Sequence, residues 1–130
     1  MLIYGHRFIQ SASFYHIQSI EAIQNSPSSS TLLLEFSEKN LDVIEHLRAN
    51  SIDFAIEVDN ITDTMYASSL EASFIIVQKN LVSTVQSIAN NYLFDAKILV
   101  LVEEEADIEE MAILGVDGVI FSNAIIKINS

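Results

Sequence analysis

Short runs of Ile, Val, Leu and Phe, separated by amphipathic segments, constrain the fold of this chain more than any other feature. The runs cover residues 32–36, 54–58, 74–77, 98–102 and 119–121. Their apolar residues are nearly continuous instead of alternating, so both faces of each predicted strand must be covered. Buried strands joined by helical segments are typical of parallel sheets with crossover connections. The sequence therefore predicts an α/β fold.

The segments between the runs carry helix signals. Helices are predicted over 39–49 and 81–92, the second with Leu81, Val85, Ile88 and Tyr92 on one face. Asn60 and Asp63 have the spacing of a capping box at the start of another helix. The last helix begins in the acidic run 103–105, which suits the positive end of a helix dipole, and ends at Gly115. Each crossover thus has a predicted helix, and Asn50 is expected to end the 39–49 helix in a left-handed conformation.

The spacing of the runs limits the architecture. Their centres recur about every 20–24 residues, enough for a strand–helix–strand crossover, whereas a closed eight-unit barrel typically needs ~250 residues. We expect a three-layer α/β/α sandwich with a mainly parallel, five-stranded open sheet of the flavodoxin-like kind. The alternative is half of a TIM-type barrel, because residues 114–121 would also suit a phosphate-binding barrel.

The chain is expected to form a single domain, since its 130 residues are close to the usual size of one. Residues 1–30 mix polar and aromatic side chains and are predicted to be a short N-terminal appendage, with strands at 7–10 and 14–18. Ser19 is a predicted N-cap for a short helix over 20–25. The turn-rich segment 27–30 leads into the repeating strand–helix core at 31–124.

Charge and composition exclude several classes of partner. Six basic and eighteen acidic residues give a formal net charge of −12, which repels phosphate backbones and anionic lipid headgroups. Neither nucleic acid nor a membrane surface is an expected partner. The chain has no cysteine, so it has no disulfide and no thiolate metal site. It has no secretory-type start and no apolar run near the ~20 residues of a membrane span, and a cytoplasmic protein is predicted.

Acidic and amide side chains follow the predicted strands, where an open parallel sheet binds its ligands. Glu38, Asp59 and Glu103 are the candidates for a hard cation such as Mg²⁺, which prefers oxygen ligands. The competing interpretation is that these residues cap the helix N-termini at the same edge. We favour capping and predict no metal and no cofactor.

Glu35 and Glu57 each interrupt an apolar run, and a carboxylate in a buried strand must be paired, protonated or facing a cleft. Lys79 is the expected partner. Together they are candidates for acid–base or Schiff-base catalysis. The alternative is a satisfied ion pair or a position at the sheet margin.

The other residue types point away from common catalytic sites. His6, His16 and His46 do not have the spacing of metal ligands, and none neighbours a candidate serine nucleophile in sequence. The three glycines cannot form a dinucleotide or phosphate loop, which needs several glycines directly after a strand. Gly118 is instead interpreted as a position of close packing.

Residues 32–124 resemble a response-regulator receiver domain in element order and length. The likeness is carried by the predicted strand 97–102, an acidic helix start, the segment 111–118 and the strand 119–121. Receivers keep an acidic pair after the first strand, a phosphorylated Asp after the third, Ser or Thr after the fourth and Lys after the fifth. Gln78, Glu103 and Ser122 occupy the last three places, and only the non-adjacent Glu35 and Glu38 echo the acidic pair. The resemblance therefore implies a copy that cannot be phosphorylated.

Two functions fit these observations. The first is a non-catalytic protein-interaction or regulatory module, since catalytic signatures are lacking and exposed aromatic residues are expected around Phe8, Phe14 and Tyr15. A homodimer is its simplest form. The second is a lyase-like or isomerase-like enzyme that binds a small metabolite at the acidic strand edge.

The receiver resemblance generates a test. Incubation of the protein with acetyl phosphate should give no stable adduct in intact mass spectrometry, because no aspartate occupies the acceptor position. A labile species heavier by one phosphoryl group would contradict this prediction.

Overall fold

The computed structural model describes residues 1–128, which contain eight strands and five α-helices. In chain order these are β1 (Leu2–Tyr4), β2 (Phe14–His16), α1 (Ile20–Ile23), β3 (Thr31–Glu35), α2 (Leu41–Ala49), β4 (Phe54–Glu57), α3 (Ile61–Ser69), β5 (Phe74–Val77), α4 (Lys79–Asn91), β6 (Lys97–Val102), α5 (Ala106–Leu114), β7 (Gly118–Phe121) and β8 (Ile125–Lys127). Short 3-10 turns precede α2 and connect β7 to β8.

All strand pairs are parallel, and they form one sheet in the order β1-β7-β6-β5-β4-β3-β2-β8. From β2 to β7 each strand lies beside the next one in sequence, so the winding never reverses. A doubly wound sheet has such a reversal, which places helices on both faces. Without it, right-handed crossovers place every helix on the same face. The predicted α/β class and parallel sheet are confirmed, but the expected count of five strands is wrong because the sheet has eight.

The sheet is curled, as its last connection requires. Only Ser122–Ala124 separates β7 from β8, although these strands occupy the second and last places in the sheet. Six flat strand spacings of ~4.8 Å would span ~29 Å, whereas four Cα steps of ~3.8 Å reach at most ~15 Å. The sheet is open between β1 and β8, which share no ladder within residues 1–128. This open, curled sheet is like a half-barrel, the alternative predicted from the sequence.

Two apolar clusters lie on opposite faces of the curl. The convex cluster joins the strands to the helices, through buried residues such as Ile44 of α2, Val85 of α4 and Met111 of α5. The concave cluster contains no residue of an α-helix; its members are Phe14, Leu33, Ala55, Ile76, Leu99, Ile120 and Ala124. The expected three-layer sandwich is therefore replaced by one helical layer outside a self-packed concave face.

Near-continuous apolar runs are needed because successive strand residues point to these two clusters. In β3, Leu32 and Leu34 pack under the helices while Leu33 packs inside the curl. Aromatic rings close the interior: Tyr4 of β1 lies 5.0 Å from Phe14 of β2 and 5.9 Å from Phe74 of β5, between ring centroids. These contacts join strands from distant places in the sheet order, as a curled sheet demands.

Several predicted helix ends are confirmed. The Ser19 hydroxyl accepts the Ala22 amide, and the Asn60 side chain accepts the Asp63 amide at 2.8 Å. Gly115 ends α5 in the left-handed conformation, with φ of 80°. The left-handed residue after α2 is Ser51, not Asn50, with φ of 54°.

Three other expectations are corrected. Residues 1–30, expected as an appendage, contribute β1 and β2 to the sheet. The segment 7–10, expected as a strand, is a turn in which the Ile9 amide donates to the His6 carbonyl. Tyr92, expected on the buried face of α4, follows the helix and is exposed, while Val82, Val85, Gln86 and Ala89 are buried.

Gly118 is a position of close packing between strands, as the sequence predicted. A Cβ atom there would lie 2.7 Å from Leu2 Cβ, 2.8 Å from the Leu2 carbonyl oxygen and 2.8 Å from Leu99 Cδ2. Two of these atoms belong to β1, which pairs with β7 at this residue. The absence of a side chain therefore lets β1 join the sheet.

Gly118→Ala should destabilise the protein by about 1–3 kcal/mol, because overpacking displaces backbone here. Urea unfolding would measure the change, and hydrogen exchange should show faster exchange in β1. Gly115→Ala is the matched control: no atom lies within 4 Å of its added Cβ, so only the backbone strain of about 1–2 kcal/mol applies. Unchanged exchange in β1 of Gly118→Ala would contradict this account.

Candidate functional site

The parallel strands all end at one edge of the curl, here named the carboxyl rim. In barrels of alternating strands and helices, active sites are built at this end of the sheet. The side chains at or just after the strand ends are polar or charged at seven of the eight strands: His16, Glu35, Glu57, Gln78, Glu103, Ser122 and Lys127. The acidic strand edge predicted from the sequence is thus present as one continuous rim.

Two carboxylates lie side by side on the concave side of this rim. Glu35 of β3 and Glu57 of β4 are register partners, each two residues beyond a concave-face residue, Leu33 and Ala55. His16 of β2 is in register with Leu33, which lies two residues before Glu35 on β3. On its other side, His16 is in register with Lys127 of β8. The strand order therefore places β2, with His16, beside the strand that carries Glu35, and places β8, with Lys127, beside β2.

Glu57 has the perturbed ionisation in this pair of carboxylates. Its half-buried position raises the pKa of its carboxyl above the ordinary 4.5, and the neighbouring negative charges of Glu35 and Asp59 raise the pKa further. The imidazole of His16 acts in the opposite direction on this pKa. A carboxyl with a raised pKa beside a second carboxyl group is an arrangement that general acid catalysis uses.

Lys79 does not join this pair of carboxylates, contrary to the expected pairing with Glu35 or Glu57. Its ammonium lies 2.7 Å from Asp107 Oδ1 and 3.9 Å from Glu110 Oε2, both on α5. The hydrogen bond from Lys79 lowers the pKa of Asp107, and the same bond raises the pKa of Lys79. Because Schiff-base chemistry needs a free amine with a depressed pKa, this geometry disfavours that role.

Several acidic and amide side chains of the rim form hydrogen bonds with backbone groups. The second carboxylate oxygen of Asp107 accepts the amides of Glu103 and Glu104, at 3.4 and 3.2 Å. The Asn40 side chain donates to the Glu35 carbonyl at 2.8 Å. These contacts satisfy backbone groups ahead of α2 and α5, but none of them is made by the side chains of Glu38, Asp59 or Glu103, to which the capping interpretation applied.

The metal candidates Glu38, Asp59 and Glu103 are not brought together as ligands. Within residues 1–128, no group of three or more His, Asp or Glu side chains could hold a metal ion. Asp59 instead accepts a hydrogen bond from the Asn60 side chain at 2.9 Å.

The cavities along the rim are small or open. One of about 190 Å³ is lined by His16, Glu35 and Asn40, and one of about 130 Å³ by Glu35, Glu57 and Gln78. Both are below the ~300–1,000 Å³ of typical ligand pockets. A third, of about 430 Å³, is lined by Lys79, Glu103 and Asp107, and the ammonium of Lys79 there is already paired.

A loop at residues 6–9, here named the rim loop, is an ordered feature that the sequence did not predict. His6 Nε2 lies 2.7 Å from Glu105 Oε1, and Arg7 donates to the same oxygen at 2.9 Å. The Phe8 amide donates to His6 Nδ1 at 3.1 Å, and the Arg7 guanidinium lies 4.5 Å from the Phe8 ring centroid. The hydrogen bond from His6 and the charge of Arg7 lower the pKa of Glu105.

The rim loop presents apolar side chains to solvent. Phe8 is 74% exposed and Ile9 is 46% exposed. Of the aromatic residues expected to be exposed in this region, Phe14 is buried inside the curl and Tyr15 is half-buried. Of the three aromatic residues expected to be exposed, only Phe8 is exposed.

Comparisons with known proteins identify no relative: no protein-family model matches this sequence, and no curated protein matches it. In the part of the chain that the structure describes, no helix is long and apolar enough to cross a membrane.

Glu57→Gln should stabilise the protein at neutral pH by about 0.2–1 kcal/mol, the usual scale of a cross-strand pair. Because the folded-state pKa of Glu57 is raised, the wild type binds this proton more tightly when folded. The stability of the wild type therefore falls as pH rises from the unfolded value, about 4.3, through the folded pKa. Thermal unfolding should show that the variant is more stable than the wild type at pH 7. This difference should disappear at pH 4.

Glu38→Gln is the matched control, because Glu38 is an exposed carboxylate of the same rim. A stability gain for Glu57→Gln that is equally large at pH 4 would show that charge is not its cause.

Proposed function

We propose that this protein is a non-catalytic protein-interaction module that binds through the rim loop. The observation that carries the proposal is the combination of exposure and order at Phe8, whose ring is 74% exposed. Its loop is held by the hydrogen bonds of His6 and Arg7 to Glu105. A large aromatic side chain fixed before binding loses little entropy on association, which suits an energetic hot spot.

The shape of the carboxyl rim supports binding of a protein surface over binding of a small metabolite. Inside the curl, Phe14, Leu33, Ile76, Leu99 and Ile120 fill the space below the rim. The cavities beside Glu35 and Glu57 hold about 190 and 130 Å³, too little to enclose a drug-sized ligand.

Charge narrows the class of partner. A formal net charge of −12 disfavours nucleic acid and anionic membranes.

A photo-crosslinking amino acid at Phe8 tests the proposal in cells that produce the protein. Irradiation should convert the chain into a discrete larger product, because the ring would lie inside an interface. Ser83 is the matched control, since it is an exposed polar position on α4. The absence of a discrete product at Phe8, or an equal yield at Ser83, would refute the proposal.

A second candidate function is a lyase-like or isomerase-like enzyme acting on a small metabolite. The raised pKa of Glu57 beside Glu35 favours it, because this pair could divide the roles of acid and base. Complementation of a deletion strain separates the two functions. The interaction module predicts that Phe8→Ser fails to complement and Glu57→Gln complements, whereas the enzyme predicts the reverse.

A further inference from the structure

A second surface with exposed apolar side chains lies at the opposite end of the curl, where the strands begin. A groove of about 550 Å³ runs between the end of α3 and the end of α4, and its apolar lining includes Met65, Ala72, Tyr92, Leu93 and Phe94. Tyr92 is 68% exposed and Leu93 is 84% exposed. We name this surface the amino-end groove.

Leu93 has an unfavourable backbone conformation for its type. Its φ is 54°, in the left-handed region, and the next amide, of Phe94, donates to the Ala89 carbonyl at 2.9 Å to close α4. Glycine or asparagine is the usual residue at this position, since other side chains are strained in the left-handed conformation. A large apolar residue that is both strained and exposed reduces stability, and such positions cluster at functional surfaces.

We infer that the amino-end groove of one copy receives the rim loop of a second copy, so that the protein associates head to tail. This inference rests on the proposed function and names its partner. The rim loop projects Phe8 and Ile9, while the groove offers apolar side chains and room for an aromatic ring. Burial of exposed apolar surface on both sides provides the driving force.

The rim loop and the amino-end groove also carry charged residues of opposite sign. Arg7, next to Phe8, keeps 70% of its side chain exposed while it contacts Glu105. Asp95 lines the groove and is exposed, and it forms no ion pair with any other residue in the range 1–128. An Arg7–Asp95 contact at the edge of the interface would therefore fix the orientation more than it adds affinity.

The topology dictates a directional assembly. The rim loop follows β1 and so lies at the carboxyl rim, whereas the groove is formed by residues that precede β5 and β6. One pair of copies can satisfy only one such contact, which leaves a free loop at one end and a free groove at the other. Heterologous contacts of this kind produce rings or open chains, in place of the two-fold homodimer expected from the sequence.

Net charge limits the strength of this association. Two copies at −12 each repel at long range, although at physiological salt the Debye length is about 8 Å and distant charges are screened. The assembly is therefore weak and depends on protein concentration.

Sedimentation velocity over a wide concentration series, at physiological salt, tests the inference. The wild type should show a mass that rises with concentration past two chains. Phe8→Ser removes the loop contact and Leu93→Asn removes the groove contact, so each should weaken association at least tenfold. Asparagine tolerates the left-handed conformation, and Leu93→Asn should therefore be as stable as the wild type or more so.

The decisive measurement mixes the two variants in equal amounts. Phe8→Ser keeps an intact groove and Leu93→Asn keeps an intact loop, so the mixture should form a one-to-one dimer and nothing larger. A wild type that is monomeric throughout, a two-fold dimer unaffected by either substitution, or a monomeric mixture would each overturn the inference.

The two proposals fail separately. A photo-crosslink from Phe8 to a different protein, with a monomeric wild type in sedimentation, would retain the interaction module and reject self-association. A crosslink to residues of the amino-end groove in another copy supports both. The absence of any discrete crosslink rejects both.

Discussion

The short connection from β7 to β8 is the constraint on which the rest of the structure depends. Because Ser122–Ala124 must join the second and the last places in an eight-stranded sheet, the sheet cannot be flat. Curling brings β1, β2 and β5 close enough for Tyr4, Phe14 and Phe74 to meet, at 5.0 to 5.9 Å between ring centroids. The concave face then buries itself, and the helices are needed on the convex face alone.

This packing moves any functional surface to the two ends of the curl. The interior is filled by side chains such as Leu33, Ile76 and Leu99, so a ligand would be held at one of the two ends. Many rim acids already serve the backbone: Asp107 accepts amides ahead of α5 and neutralises Lys79. Glu35 and Glu57 are the exceptions, because their register places two carboxylates together without a basic partner between them. Repulsion between the two carboxylates reduces stability. Because this unfavourable pair has no structural role here, it is the feature that favours the alternative function as an enzyme.

The sequence predicted the central strands and several helix ends because those signals are local. Near-continuous apolar runs mark β3 to β7, and Ser19 and Asn60 cap the helices they precede. β1 and β8 have three residues each, too few for any periodicity. A sandwich and a curled sheet also need the same doubly buried strands, so the pattern could not choose between them. Contacts such as His6 to Glu105, separated by 99 residues, and the pairing of Lys79 with α5 depend on the curl and have no local signal.

Parallel strands give this molecule two chemically different ends. All the carboxyl ends, with their acids and amides, lie at one rim, and the connections that enter the strands lie at the other. At that second end α2, α3 and α4 are each followed by a left-handed residue that is not glycine: Ser51, Glu71 and Leu93. Ser51 and Glu71 carry polar side chains, and Glu71 pairs with Arg48 at 2.6 Å. The side chain of Leu93 is apolar and 84% exposed. The strain at Leu93 is therefore best explained by a contact outside the chain.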